Sequence, residues 1–138
     1  MGLDDFIVKD KLANTPWDTG AFDHVRLQQQ VLQPARTGGQ ARYQKLTWET
    51  GGLGLITIVS DVDFVIVEGI SAYHPSIAPY YDYKIWVDTP IEVARERGRA
   101  RDGSNENAQH WDLWAQYDLA YQERYHPETV ADLVVSGV

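Results

Sequence analysis

Three short runs of mostly apolar, β-branched or aromatic residues limit what this chain can fold into: Phe64-Val65-Ile66-Val67, Tyr83-Lys84-Ile85-Trp86-Val87 and Ala131-Asp132-Leu133-Val134-Val135. Apolarity that is continuous rather than alternating predicts strands covered on both faces, as in a parallel sheet. Two helical stretches, Ile91 to Arg101 and about Asn107 to Tyr125, separate the second run from the third. Strand, helix, helix, strand predicts an α/β fold with crossover connections. Thr89-Pro90 reads as the start of the first of these helices, with Thr89 as N-cap and Pro90 in the first turn. Gly103-Ser104 reads as its stop.

The first 57 or so residues are more polar and punctuated. Phe22, Val25, Leu27, Val31 and Leu32 keep a partly helical spacing, with Asp18 or Thr19 as candidate cap and Pro34 at the expected end. From Tyr43 to Ile58 the pattern becomes extended around Gly51-Gly52, which predicts a hairpin or a strand and loop. A length of 138 residues suits one domain with one core.

Composition removes several function classes. A net charge of −8 argues against nucleic acid, whose phosphates need a basic face. With no cysteine, the chain can form neither disulfides nor thiolate metal sites. The four histidines, His24, His74, His110 and His126, lack metal-ligand spacing and read as structural or surface residues. Trp111, Trp114, Tyr117 and Tyr121 fall at helical spacing and read as packing. No segment approaches the ~20 apolar residues of a membrane span, and the first residues resemble no signal peptide. The expectation is a soluble, cytoplasmic protein without membrane or nucleic-acid partners.

The ordered set of Leu3-Asp4-Asp5-Phe6, Val65-Ile66-Val67-Glu68-Gly69-Ile70 and Ile85-Trp86-Val87-Asp88-Thr89-Pro90 with its arginine-rich helix resembles the uridine kinase, phosphoribulokinase and pantothenate kinase group of P-loop kinases. Trp17-Asp18-Thr19-Gly20-Ala21-Phe22-Asp23 is a looser match to that group's Asp-rich segment. The resemblance implies a P-loop-kinase-like parallel sheet flanked by helices, incomplete over residues 1–138. The group's first strand and its G-x-x-x-x-G-K-[ST] loop should stand before Leu3, and that motif occurs nowhere in the chain. The implied activity is ATP-dependent phosphorylation of a hydroxyl on a nucleoside or related small metabolite, with Mg²⁺, the ATP loop being missing here. The rival expectation is a non-catalytic remnant or binding module that keeps the acceptor pocket. Unpaired sheet edges would also open a route to homo-oligomers.

Roles carry over residue by residue. Asp4 stands where the group has its general base, the alternative being a turn or cap Asp. Glu68, at a strand end, resembles a carboxylate that holds Mg²⁺ or touches substrate, the alternative being a solvated strand-end acid. Arg42, Tyr43 and Trp48 fall near the nucleoside pocket, with core or hairpin packing as the plain alternative for the rings. Asp18 and Asp23 match sugar-binding positions loosely, and Asp23 also suits a helix first turn. Arg97 and Arg101, four apart on one helix face, resemble lid arginines that clamp phosphates. Surface pairing of Glu92 with Arg95 and of Glu96 with Arg99 would leave those two free.

Overall fold

The computed structural model describes residues 1–103 and 106–138, so Ser104 of the expected helix stop lies outside the described residues. The chain is mixed α/β with small sheets, and it divides into two compact units, residues 1–82 and 83–138.

In the first unit, a 3-10 turn (Leu3–Phe6) leads to a short helix α1 (Lys9–Leu12). A continuous helical stretch follows, built of α2 (His24–Leu27), a π-helical turn (Gln28–Leu32) and α3 (Gln33–Arg36). Asp23, rather than Asp18 or Thr19, is the N-cap: the Arg26 N–H donates to its Oδ1 at 2.9 Å. The wide turn just before Pro34 suits a residue that has no N–H to give and whose ring crowds the preceding turn. Pro34 therefore sits inside the helix, which runs on to Arg36.

The expected hairpin is present as β1 (Ala41–Leu46) and β2 (Leu53–Val59), paired antiparallel. Ala41 and Tyr43 point inward, and strict alternation would bring Lys45 in next. A one-residue register shift between Gln44 and Leu46 turns Leu46 inward and leaves Lys45 outside. The core of this unit gathers Leu3, Phe6, Trp17, Leu27, Val31 and Ile77.

The run Phe64–Val67 departs from expectation. It is extended but carries no strand ladder, and Phe64 and Ile66 are 85% and 74% exposed. A strand is covered on both faces only when neighbouring strands and helices supply the cover. Here the pairing amounts to one parallel bridge, Gly2 with Glu68, at the end of the run.

In the second unit, β3 (Ile85–Asp88) and β4 (Leu133–Ser136) pair in parallel from Ile85↔Leu133 to Asp88↔Ser136. Between them run the two expected helices, α4 (Ile91–Asp102) and α5 (Trp111–Tyr125). Pro90 rather than Thr89 occupies the N-cap of α4, and Gly103 ends it at a φ of +51°, which glycine adopts without steric cost. The Asp132 carboxylate accepts the Lys84 N–H at 2.7 Å and lies 3.1 Å from its Nζ, which fixes the start of the parallel pair. These hydrogen bonds hold the Asp132 carboxyl below its usual range. The two strands remain half open: Ile85, Val87, Leu133 and Val134 are all exposed.

Helix α4 meets α5 where Gly98 lies buried against the Trp111 ring. A Cβ at that position would overlap the ring. Gly98→Ala gains about 1 kcal/mol of helix propensity, but overpacking costs about 1–3 kcal/mol, so a net destabilisation is expected. Urea unfolding should show a lower midpoint for Gly98→Ala, and Trp111→Leu should recover part of it in the double variant.

Candidate functional site

The parallel bridge organises the candidate site. The Glu68 N–H donates to the Met1 carbonyl at 3.0 Å, and the Leu3 N–H donates to the Glu68 carbonyl at 2.8 Å. The Met1 ammonium adds a bond to the Ile66 carbonyl at 2.7 Å. Two extended segments thus end side by side and in the same direction, one running into Asp4 and the other ending at Glu68. Ligands of open α/β sheets gather at such carboxyl ends. Two glycines permit the approach. Gly2 leaves room for the Glu68 carboxylate, whose Oε1 would lie 3.0 Å from a Cβ there. Gly69 adopts a φ of +138°, and a Cβ on it would stand 2.7 Å from the Leu3 Cβ. Asp4 and Glu68 are both exposed to solvent.

Beneath this turn lies an arginine that sequence reasoning missed. Arg26 donates from Nη2 to the Asp5 carbonyl at 2.6 Å and from Nη1 to the Gln44 carbonyl at 2.7 Å. Its guanidinium sits 4.4 Å from the Phe6 ring centroid, and its Nε lies 3.7 Å from Asp23 Oδ2. One side chain thereby ties the Asp4-Asp5 turn to α2 and β1. Burial lowers the Arg26 pKa from its usual value while Asp23 and Asp5 oppose the shift, and a guanidinium stays charged in proteins regardless. Its signal in the sequence is slight: it stands three residues after the capping Asp23.

The remaining expected residues are spread out. Tyr43 is core: its ring stacks on Phe6 at 5.5 Å, and burial, followed by the Asp5 charge, raises its hydroxyl pKa. Arg42 lies on the opposite, exposed face of β1 and donates to Gln40 Oε1 at 3.2 Å. Trp48 is 45% exposed in the hairpin turn, where its carbonyl accepts from Lys9 Nζ. Asp18 is half-buried in the turn before α2. A shallow, open cavity of about 630 Å³ at the end of α3 is lined in part by Gln33, Arg36 and Tyr80 and by none of the expected site residues.

Arg97 and Arg101 belong to the second unit and are not left free there. Arg97 donates to the Gly137 carbonyl at 2.5 Å, and Arg101 donates to Asp102 at 3.0 Å with its guanidinium over Trp111. Glu92 pairs with Arg95 as expected, but Arg99 pairs with Asp112 of α5 rather than with Glu96. Packing of α5 against α4 offers Arg99 an acid that helical spacing within α4 does not reveal.

A second feature that the sequence did not disclose is an imidazole pair. The His24 ring lies between Phe22 at 6.2 Å and His74 at 4.8 Å, near parallel to both. Burial, then the nearby His74, pushes its pKa down to about 4 against the opposing pull of Asp23. Close by in sequence, Ser71 is buried at a φ of +61°, and its Oγ meets no hydrogen-bond partner among the described residues.

Among the described residues no three His, Asp or Glu side chains are grouped to hold a metal ion. Mg²⁺ in phosphoryl-transfer sites takes one or two carboxylates and completes its shell with phosphates and water, and the exposed Glu68 carboxylate suits that mode. No helix of the described residues is long and apolar enough to cross a membrane. Set against models of known protein families, the chain matches none.

Two outcomes are expected. Arg26→Lys keeps the charge but loses the fork, and it should cost on the order of 2 kcal/mol in chemical denaturation. For His24, the unfolded chain takes up a proton below the ordinary histidine pKa of about 6.5 while the folded chain resists until about 4. Stability should therefore fall as pH drops through that window. His24→Phe, which keeps a ring and removes the titration, should flatten thermal unfolding against pH between these values.

Proposed function

We propose that this chain carries the acceptor side of a nucleoside-kinase-like phosphotransferase built on a P-loop-kinase-like sheet, acting on a hydroxyl of a nucleoside or related small metabolite. The observation that carries the reading is the parallel bridge at Gly2 and Glu68, which supports two carboxylates at adjacent strand ends. In this reading Asp4 accepts the proton of the bound hydroxyl, so that its oxygen becomes the nucleophile. Glu68 orients the acceptor and would offer an oxygen to Mg²⁺, whose charge would offset that of the phosphates. Asp18, Arg42, Tyr43 and Trp48 are the acceptor-binding candidates. Tyr43 serves from beneath as part of the floor under the Asp4-Asp5 turn, given its burial. Arg97 and Arg101 would have to exchange Gly137 and Asp102 for phosphate to act as a clamp.

The 138 residues contain no G-x-x-x-x-G-K-[ST], the loop that cradles a triphosphate in P-loop kinases. That same observation favours a second reading, a non-catalytic module that keeps acceptor binding.

Calorimetric titration of the folded chain with uridine and a panel of other nucleosides tests the reading. Saturable binding is expected for at least one, weakened about fivefold or more by Asp4→Asn or Glu68→Gln, in line with the loss of one charge-assisted hydrogen bond. A folded chain that binds none of them, or binds them unchanged in both variants, removes the acceptor site and both readings with it.

A further inference from the structure

Lys45 stands outside the roles assigned so far. The register shift in β1 turns Leu46 inward and leaves Lys45 outside. Shifts of this kind re-aim a side chain and recur beside active sites. Here the Lys45 Nζ comes to 3.9 Å from Asp5 Oδ2, next in the chain to the candidate base. Its place is fixed through the backbone. Arg26 donates to the Asp5 carbonyl at 2.6 Å and to the Gln44 carbonyl at 2.7 Å. The residue after Asp4 and the residue before Lys45 therefore hang on one guanidinium. Asp5 restrains the ammonium at the long end of an ion pair without saturating it. The Nζ makes no hydrogen bond among the described residues, and the side chain is 57% exposed.

An ammonium offers donors only, so its ligand must present a lone pair. Asp4, Asp5 and Glu68 gather carboxylate charge at these strand ends, which opposes an acceptor that brings its own negative charge. A neutral acceptor with a carbonyl oxygen meets both conditions. Among nucleosides this requirement divides the bases. Uracil and hypoxanthine present a keto oxygen where cytosine and adenine present an amino group, and an amino group facing an ammonium sets donor against donor. We propose that Lys45 donates to a keto oxygen of the acceptor, so that the site takes keto-base nucleosides in preference to their amino counterparts. The assignment rests on the acceptor reading and narrows its substrate class.

Calorimetric titration of the whole chain with two matched pairs, uridine with cytidine and inosine with adenosine, tests it, with uridine 5′-monophosphate as an anionic probe. Uridine should bind about tenfold tighter than cytidine, and inosine should exceed adenosine by a similar factor. Lys45→Met keeps the length of the side chain and loses its donors, so each ratio should shrink to within about twofold of unity. Lys45→Arg keeps donors and should retain the preference. A general loosening of the hairpin would weaken both members of a pair alike and leave the ratios unchanged. Equal or reversed binding within either pair, or ratios that survive Lys45→Met, overturns the proposal and leaves the acceptor reading standing. Uridine 5′-monophosphate that binds about tenfold or more tighter than uridine, and weakens as salt rises, overturns it in favour of an oxyanion on Lys45. A folded chain that binds none of these nucleosides removes the acceptor reading and the keto preference with it.

Discussion

Parallel pairing makes a demand that antiparallel pairing does not. Antiparallel strands can be joined by a short turn and face water on one side, whereas parallel strands need crossovers and cover from helices. In the first unit the hairpin β1–β2 meets its requirement within some twenty residues of chain, with Ala41, Tyr43 and Leu46 turned into the core. The parallel partners are sparser. Met1–Leu3 lies along the end of the 64–68 segment, and β3 lies along β4. What distinguishes this chain is how much apolar strand surface those two pairings leave bare, from Phe64 and Ile66 to Ile85, Val87 and Val134.

Arg26 compensates for part of that sparseness. The turn that presents Asp4 has few ladder bonds of its own: beyond the Glu68 bridge, it relies on the 3-10 bonds from Asp5 to the Gly2 carbonyl and from Ile7 to the Asp4 carbonyl. A planar guanidinium can bond the Asp5 and Gln44 carbonyls together and still stack on Phe6, which an ammonium cannot do. The Phe6–Tyr43 stack then extends the same cluster into the hairpin. The candidate base is thus exposed on a turn whose underside is fixed by a half-buried charge and an aromatic pair, an arrangement that holds a carboxylate in place while leaving it wet.

The features legible in the sequence are the ones set by local periodicity and turn chemistry. β3, β4 and α4 stand within two residues of the expected bounds, α5 begins four residues later than expected at Trp111, and Gly51-Gly52 sits in the hairpin turn. Boundaries drifted where several residues compete for one local role, as with Thr89 and Pro90, or Asp18, Thr19 and Asp23. What the sequence hid depends on partners far away along the chain. The cover of Phe64–Val67 is set by neighbours, so residue type alone suggested a burial that the fold does not supply. Arg26 bridges carbonyls at residues 5 and 44, His24 meets His74, and Arg99 leaves its helical neighbour for Asp112 on the next helix. Tyr43 was placed near the nucleoside pocket by the family resemblance alone, with core packing as the alternative; alternation along β1 turns its ring inward and leaves Arg42 outside.

Glu68 ends one extended segment and Asp4 follows the end of the other, so the spacing of the two carboxylates is set by the few backbone bonds between Met1–Leu3 and Ile66–Glu68. Both acids are exposed to solvent. A cation or a hydrogen-bond donor placed beside either gains from its charge, whereas a bare anion is repelled. The bridge and the acid pair are in this sense one electrostatic unit: whatever loosens the backbone bonds also changes the field that a ligand meets.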